Sequence, residues 1–200
     1  DYALEIEAIS NPLARYQPEK RTDPPKFLEG YLRRADARIK LANTLEDAEQ
    51  KQAAFESVVD DANTVIAEDI APYTGYGYAR RGRAQRMLER YSEAIDSLTR
   101  SIQITSPDDA AALSRAYFYR GICWYYQGAL DLARQDFIEA SGLGEGYQDP
   151  RIYLWIGFTY HQEEDYRQAI DNYGEAAALN PSYALPHVNK GLAYMKLSEY

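Results

Sequence analysis

Apolar and polar positions follow the period of a helix along most of this chain, and no run alternates as a half-buried strand would. Aligned on glycine, the pattern repeats. Tyr78-x-x-x-Gly82, Tyr117-x-x-x-Gly121, Tyr153-x-x-x-Gly157 and His187-x-x-x-Gly191 each place a ring four residues before a glycine, and the glycines stand 39, 36 and 34 residues apart. Twelve residues after the first three glycines come Ala94, Ala133 and Ala169. Four further on come Leu98, Phe137 and Tyr173, and three beyond those come Ser101, Ala140 and Ala176. Spacings of three and four collect these residues into one apolar stripe per helix, and the small residues let two helices approach closely. Ser106-Pro107-Asp108-Asp109 and Asp149-Pro150 read as helix starts: a cap, a proline in the first turn, and acids at the positive end of the dipole. Gly128 and Gly142 stand where helix C-caps are wanted. Helices are predicted at about 75–88, 92–104, 107–127, 129–141, 150–163, 165–179 and 182–197.

The first third is less regular. Asn11-Pro12, Pro18 and Pro24-Pro25 among charges make residues 1–25 an N-terminal arm or linker. Ala8 with Asn11-Pro12 also echoes Ala177 with Asn180-Pro181, so the arm reads alternatively as the tail of a preceding repeat. Asp23-Pro24 opens a helix to about Leu41. Thr44 with Asp47 three residues later resembles a capping box for a helix to about Asp69. Ala67 and Pro72 precede Gly82 by the same intervals at which Ala176 and Pro181 precede Gly191. Residues 26–72 are therefore expected to form a divergent, lengthened first hairpin, with Ala35 in the glycine position.

The repeat resembles the tetratricopeptide repeat, whose pattern is W-x2-L-G-x2-Y, then A-x3-F, a small residue and P. Its clearest copy runs Tyr153-Leu154-Trp155-Ile156-Gly157-Phe158-Thr159-Tyr160, then Tyr166, Ala169, Tyr173, Ala176 and Pro181. The copy at Tyr117 matches nearly as well, with Trp124 as its last ring. The copy at Tyr78 has Gln85 there, and a partial copy runs from His187 to Tyr200. The resemblance covers about residues 73–200, as an array at about 75–108, 114–147, 150–183 and a partial 184–200. It implies an all-α, right-handed solenoid of antiparallel helix pairs, whose concave groove is lined by the first helix of each repeat.

Composition narrows the chemistry. Two hundred residues allow one or two domains and a sizeable core. A net charge of −9 excludes a nucleic-acid surface over the whole chain, and no apolar run approaches a membrane span. One cysteine and two histidines leave no disulfide, no zinc framework and no metal site, and no cofactor motif occurs. Cys123 reads as a buried structural thiol, His161 as a helix-surface residue and His187 as a packing ring. The acidic run Glu163-Glu164-Asp165 reads as solvated, with a capping role for the next helix. The chain is therefore expected not to be an enzyme. A single unpaired cysteine favours a cytoplasmic compartment. The start at Asp1 fits either a fragment of something longer or an exported chain whose leader was removed.

The 19 tyrosines are accounted for mostly as repeat packing positions, including Tyr78, Tyr117, Tyr153, Tyr160, Tyr166, Tyr173 and Tyr194. Positions offset by one residue from the packing face are expected to face the groove: Phe118, Ile122 and Tyr125; Leu154, Phe158 and His161; Val188, Leu192 and Met195. Tyr119 and Trp155 are placed at its edge, with core packing as the alternative for Phe118, Trp155 and Phe158. The same offset in the earlier repeat gives Arg83 and Arg86 with Arg80 alongside, and Arg115 and Arg151 open the next two first helices. Arg81 and Arg90 are expected to point elsewhere. The family's grip on chaperone carboxylates uses Lys and Asn where this chain has Ala79, Arg83, Phe118 and Ile122, so that use is disfavoured. The expected role is a scaffold or adaptor that binds a peptide or helix with apolar anchors and acidic residues. Two alternatives stand beside it: a regulatory or substrate-recruiting part of a longer enzyme of kinase or glycosyltransferase type, and self-assembly through the open C-terminal repeat.

Overall fold

A computed structural model describes residues 2–14, 24–143 and 148–198. The expected linker around Pro18, the cap at Asp23 and the ring at Tyr200 lie outside the described residues. Ten helices and no strand occur among the described residues: α1 (Tyr2–Ala14), α2 (Pro24–Ala42), α3 (Ala48–Ala67), α4 (Tyr73–Met87), α5 (Tyr91–Ile104), α6 (Ala110–Tyr126), α7 (Leu130–Gly142), α8 (Pro150–Gln162), α9 (Tyr166–Leu179) and α10 (Ala184–Ser198). They fall into two compact units, residues 1–107 and 108–200.

In the first unit, α2 and α3 form the lengthened hairpin. Leu28, Leu32, Ala35, Ile39 and Ala42 of α2 are buried together with Phe55, Val58 and Val65 of α3. Arg34 and Arg38 of α2 converge on Asp61 of α3, whose carboxylate is 3% exposed and accepts bonds of 2.5 and 2.6 Å. Next, α4 lies close on α3, because a Cβ at Gly77 would stand 3.1 Å from Ile66 Cγ1 and 3.3 Å from the Ala62 carbonyl. The same α4 meets α5 at Gly82, where a Cβ would stand 2.6 Å from Leu98 Cγ. Residues 1–25, read as an arm or linker, contain a helix: Tyr2–Ala14 is α1, and it packs on α2. Its first nine residues hold good helix formers and no proline, and Ile6 and Ile9 are partly buried.

The second unit repeats one device twice. A Cβ at Gly121 of α6 would stand 2.7 Å from Phe137 Cε1 of α7, and one at Gly157 of α8 would stand 2.6 Å from Tyr173 Cδ1 of α9. Ala133, Ala140, Ala169 and Ala176 are fully buried beside those rings. Asp149 caps α8 by accepting from Arg151 N at 2.9 Å, with Pro150 in the first turn. Two caps differ from the sequence reading. Helix α6 starts at Ala110 rather than at Pro107, because Asp109 is the side chain that accepts from Ala112 N, at 3.0 Å. Helix α3 starts at Ala48 because Asp47 caps it through Gln50 N at 2.7 Å, while the Thr44 hydroxyl turns back to the Leu41 carbonyl. The fold class is the expected one, an all-α solenoid of antiparallel helix pairs.

Candidate functional site

Trp155 is the hub of the second unit. It stands on α8, one turn before Phe158, and α8 is aligned so that Gly157 takes the α9 ring while Trp155 turns toward α6. Its indole meets Tyr125 at 5.3 Å, Tyr126 at 6.0 Å, Phe137 at 6.1 Å and Phe158 at 5.3 Å, three of these edge-on. Edge-to-face geometry is what ring quadrupoles favour. The chain of rings continues from Phe158 to Tyr173 at 5.9 Å, and from Tyr173 to His161 at 6.3 Å. Burial, with the neighbouring Tyr126, pushes the Tyr125 phenol above its ordinary value, and burial pushes that of Tyr173 well above it. Beside Trp155, a pocket of about 390 Å³ opens between Tyr125, Tyr126, Gly128, Leu130 and Gln162. Gly128 makes this turn possible, since its φ of +78° ends α6 in the left-handed region.

The residues expected in the groove divide into three groups. Phe118, Ile122 and Leu154 are 5%, 3% and 2% exposed, so the structure corrects their placement from groove to core. Phe118 lies against Phe137 with the Arg151 guanidinium 5.3 Å above its ring. Ile122 is buried with Ile152 and Ile156 of α8, and Leu154 with Tyr166 and Ile170 of α9. A residue turns the helix face by about 100°, so an offset of one carries these side chains onto the flank between hairpins.

Tyr119, Tyr125, Trp155, Phe158 and His161 form the second group, half-buried along α6 and α8. The His161 Nδ1 is buried without a hydrogen-bond partner. Arg115, Arg151 and Leu192 are the third group and are exposed. Arg115 and Arg151 flank a shallow cleft with Tyr119 and Asp149, and Arg151 is bonded to Asp149 at 2.9 Å. Leu192 belongs to an exposed stripe of α10 with Leu185, Val188 and Met195.

In the first unit, Arg80 is committed to Asp36 of α2 at 2.6 Å and to the Tyr76 carbonyl. Arg83 and Arg86 are partly buried on α4. Arg81 bonds Ser97 and Asn63, and Arg90 pairs with Glu56. His187, read as a packing ring, is exposed, and its Nε2 stands 3.0 Å from the Pro181 carbonyl.

One recurring feature escaped the sequence reading. Arg34, Arg81 and Arg120 each precede the small residue of a first helix, and each reaches a polar side chain on the second helix: Asp61, Ser97 and Asp136. The signal was present, since Ser97 and Asp136 each precede the large residue, Leu98 or Phe137, by one. Among the described residues no group of three or more His, Cys, Asp or Glu could hold a metal, and no helix is long and apolar enough to cross a membrane.

A family profile described as the TPR repeat matches residues 159–198, which span α8 to α10. Residues 159–198 therefore match a tetratricopeptide repeat. A curated relative, a lipoprotein NlpI homolog of Haemophilus influenzae, is 30% identical over 84 residues. That stretch is 42% of this chain and 26% of the relative, so the match spans about a quarter of the relative's length. Among solved structures, the thermophilic TPR protein TTC0263 of Thermus thermophilus superposes with a TM-score of 0.68 at 18% identity, over 97% of this chain and 91% of that one. YrrB, described as a TPR protein with an unusual peptide-binding site, superposes with a TM-score of 0.59 at 17% identity, over 95% and 90% of the two chains. These likenesses establish the fold.

Proposed function

We propose that this TPR protein is a non-catalytic scaffold whose second unit grips a segment of a partner protein. The observation that carries the reading is the half-exposed ring cluster around Trp155, open beside a pocket of about 390 Å³. Clustered, partly desolvated aromatic and arginine side chains are the types that dominate interface energetics. An apolar side chain of the partner enters between Tyr125, Tyr126 and Leu130, and acidic residues pair with Arg115 and Arg151 at the other end of α6 and α8. On the first unit, Arg83 and Arg86 offer a separate contact for acidic groups. YrrB lends support as a TPR fold that carries a peptide-binding site.

A displayed library of random peptides, panned against the purified chain, tests this. Enriched sequences are expected to combine apolar anchors with acids, and to lose binding to Trp155→Ala and to Arg151→Glu. Arg151 also covers the Phe118 ring and bonds the α8 cap Asp149, so binding is compared only between variants whose melting matches that of the parent chain. No enrichment, or enriched peptides indifferent to both substitutions, overturns the proposal. Self-association is a second reading, favoured by the exposed stripe Leu185, Val188, Leu192 and Met195 on α10.

A further inference from the structure

We propose that a second surface of this chain, the slot between α6 and α7, takes an arginine side chain of a partner protein. The slot shares no residue with the Trp155 cluster and stands independently of the role proposed for it.

The slot is a cavity of about 310 Å³. Tyr117, Arg120 and Trp124 of α6 form one wall, and Leu132, Asp136 and Glu139 of α7 form the other. All of them belong to the second compact unit. The Asp136 carboxylate is 5% exposed and accepts from Arg120 at 2.7 and 2.8 Å, so these two charges offset each other. Glu139 adds a second carboxylate. It is exposed, makes no ion pair among the described residues, and lies close enough to disfavour the charge on Asp136. One guanidinium faces two carboxylates, and the slot is left with a net negative charge that a cation complements.

The rings decide which cation. Packing rings in this chain recurrently hold a guanidinium over the face: Arg34 over Tyr31 at 4.7 Å, Arg81 over Tyr78 at 4.8 Å, Arg120 over Tyr117 at 5.3 Å and Arg134 over Tyr160 at 4.5 Å. Tyr160 follows Gly157 by three residues, as Trp124 follows Gly121. The arginine on Tyr160 also bonds a carboxylate, that of Glu163, at 2.6 Å. Trp124 and Glu139 bring the same pair of groups, a ring and a carboxylate, into one cavity. Among the described residues, however, Trp124 stacks on no cation and on no other ring. Indole is the best ring for a cation. A planar guanidinium stacks on it and forks onto a carboxylate, whereas an ammonium acts as a point charge. Leu132 marks the mouth. It is 45% exposed and stands eleven residues after Gly121, where α5 has Glu93 and α9 has Gln168. Helix pairing does not require an apolar residue there, so the partner's arginine is expected to have an apolar neighbour.

Tetra-arginine, tetra-lysine and tetra-glutamate peptides carrying a fluorophore test this by anisotropy against the 200-residue chain. Tetra-arginine is expected to bind saturably, tetra-lysine several-fold more weakly and tetra-glutamate not at all. Glu139→Gln is expected to weaken tetra-arginine by roughly fivefold or more. Glu175→Gln removes the same charge from the equivalent exposed position of α9, and is expected to leave binding unchanged. In a Trp155→Phe chain of parental helical content, Trp124 is the remaining tryptophan, and its emission is expected to change as tetra-arginine binds. Equal losses in the two glutamate variants would mark attraction to the net charge of −9 alone, and would overturn the proposal. It is also overturned by no binding of tetra-arginine, by equal binding of tetra-lysine, or by Trp124 emission that stays unmoved while the peptide binds.

Discussion

The same substitution has opposite signs at two equivalent glycines. Within a helix, Ala is favoured over Gly by about 1 kcal/mol. At Gly191 the added Cβ meets open space, so Gly191→Ala is expected to raise stability by up to about 1 kcal/mol. At Gly121 it would stand 2.7 Å from a Phe137 ring that is fully buried and cannot retreat. Overpacking of about 1–3 kcal/mol then outweighs the helix gain. Gly121→Ala is expected to lower the melting temperature, and an unchanged or higher one would contradict the packing described. Asp136 offers a second test. Burial raises its carboxyl above the ordinary value by more than the Arg120 hydrogen bond lowers it, while Arg120 is held above its own ordinary value because Asp136 outweighs its burial. A carboxyl raised on folding binds more protons in the folded chain, so its contribution is full below the unfolded value and falls as pH rises through the folded one. Asp136→Asn strands the Arg120 charge, 18% exposed, at a cost of roughly 2–3 kcal/mol, below the roughly 3–5 of a fully buried pair. The double variant Arg120→Met with Asp136→Leu is expected to recover that loss in urea unfolding, because a buried pair is often replaceable by apolar residues.

At the scale of elements, legibility followed repetition. The glycines, the alanines and the large residues of the second helices recur at fixed spacing, so α4 to α10 were readable to within a few residues. Helix α1 was not, because Asn11-Pro12 and the prolines after it outweighed a short run of helix formers before them. The start of α6 was misplaced because Pro107 and Asp109 both suit a first turn, and only the bond to Ala112 N decides between them. The candidate site was harder to read than the fold. Telling Phe118 from Tyr119 requires the phase of a helix against two neighbours at once, and the flank between hairpins took Phe118, Ile122 and Leu154 into the core. Trp155 escaped because it faces α6 on the side where the α6–α7 turn leaves room. Trp155→Ala is therefore expected to cost roughly 2–3 kcal/mol, less than the roughly 3–5 of a fully buried ring. It should also bring the Tyr125 phenol back toward its ordinary value by admitting water, so its ultraviolet titration midpoint falls. A midpoint that stays raised would show that Trp155 is not what keeps water from Tyr125.

At the scale of the whole molecule, contacts among the described residues of each compact unit run between helices adjacent in sequence, with α2 to α4, α6 to α8 and α8 to α10 as the only longer steps. Stability in such an array is a sum of local terms and nearest-neighbour interfaces. A core deletion should then loosen its own hairpin and the next, rather than the chain as a whole. Phe55 and Tyr173 make the comparison clean, since both are large, both are essentially fully buried, and they lie in different compact units. Each truncation to alanine removes a ring at a cost of about 3–5 kcal/mol. Hydrogen exchange read by mass spectrometry is expected to rise in α2 to α4 for Phe55→Ala, with α8 and α9 unchanged. For Tyr173→Ala it should rise in α8 to α10, with α2 and α3 unchanged. Local opening of this kind leaves the rest of the array at its native protection. If either truncation accelerates exchange in every helix alike, the chain unfolds as one cooperative body, and neighbour-only coupling is wrong.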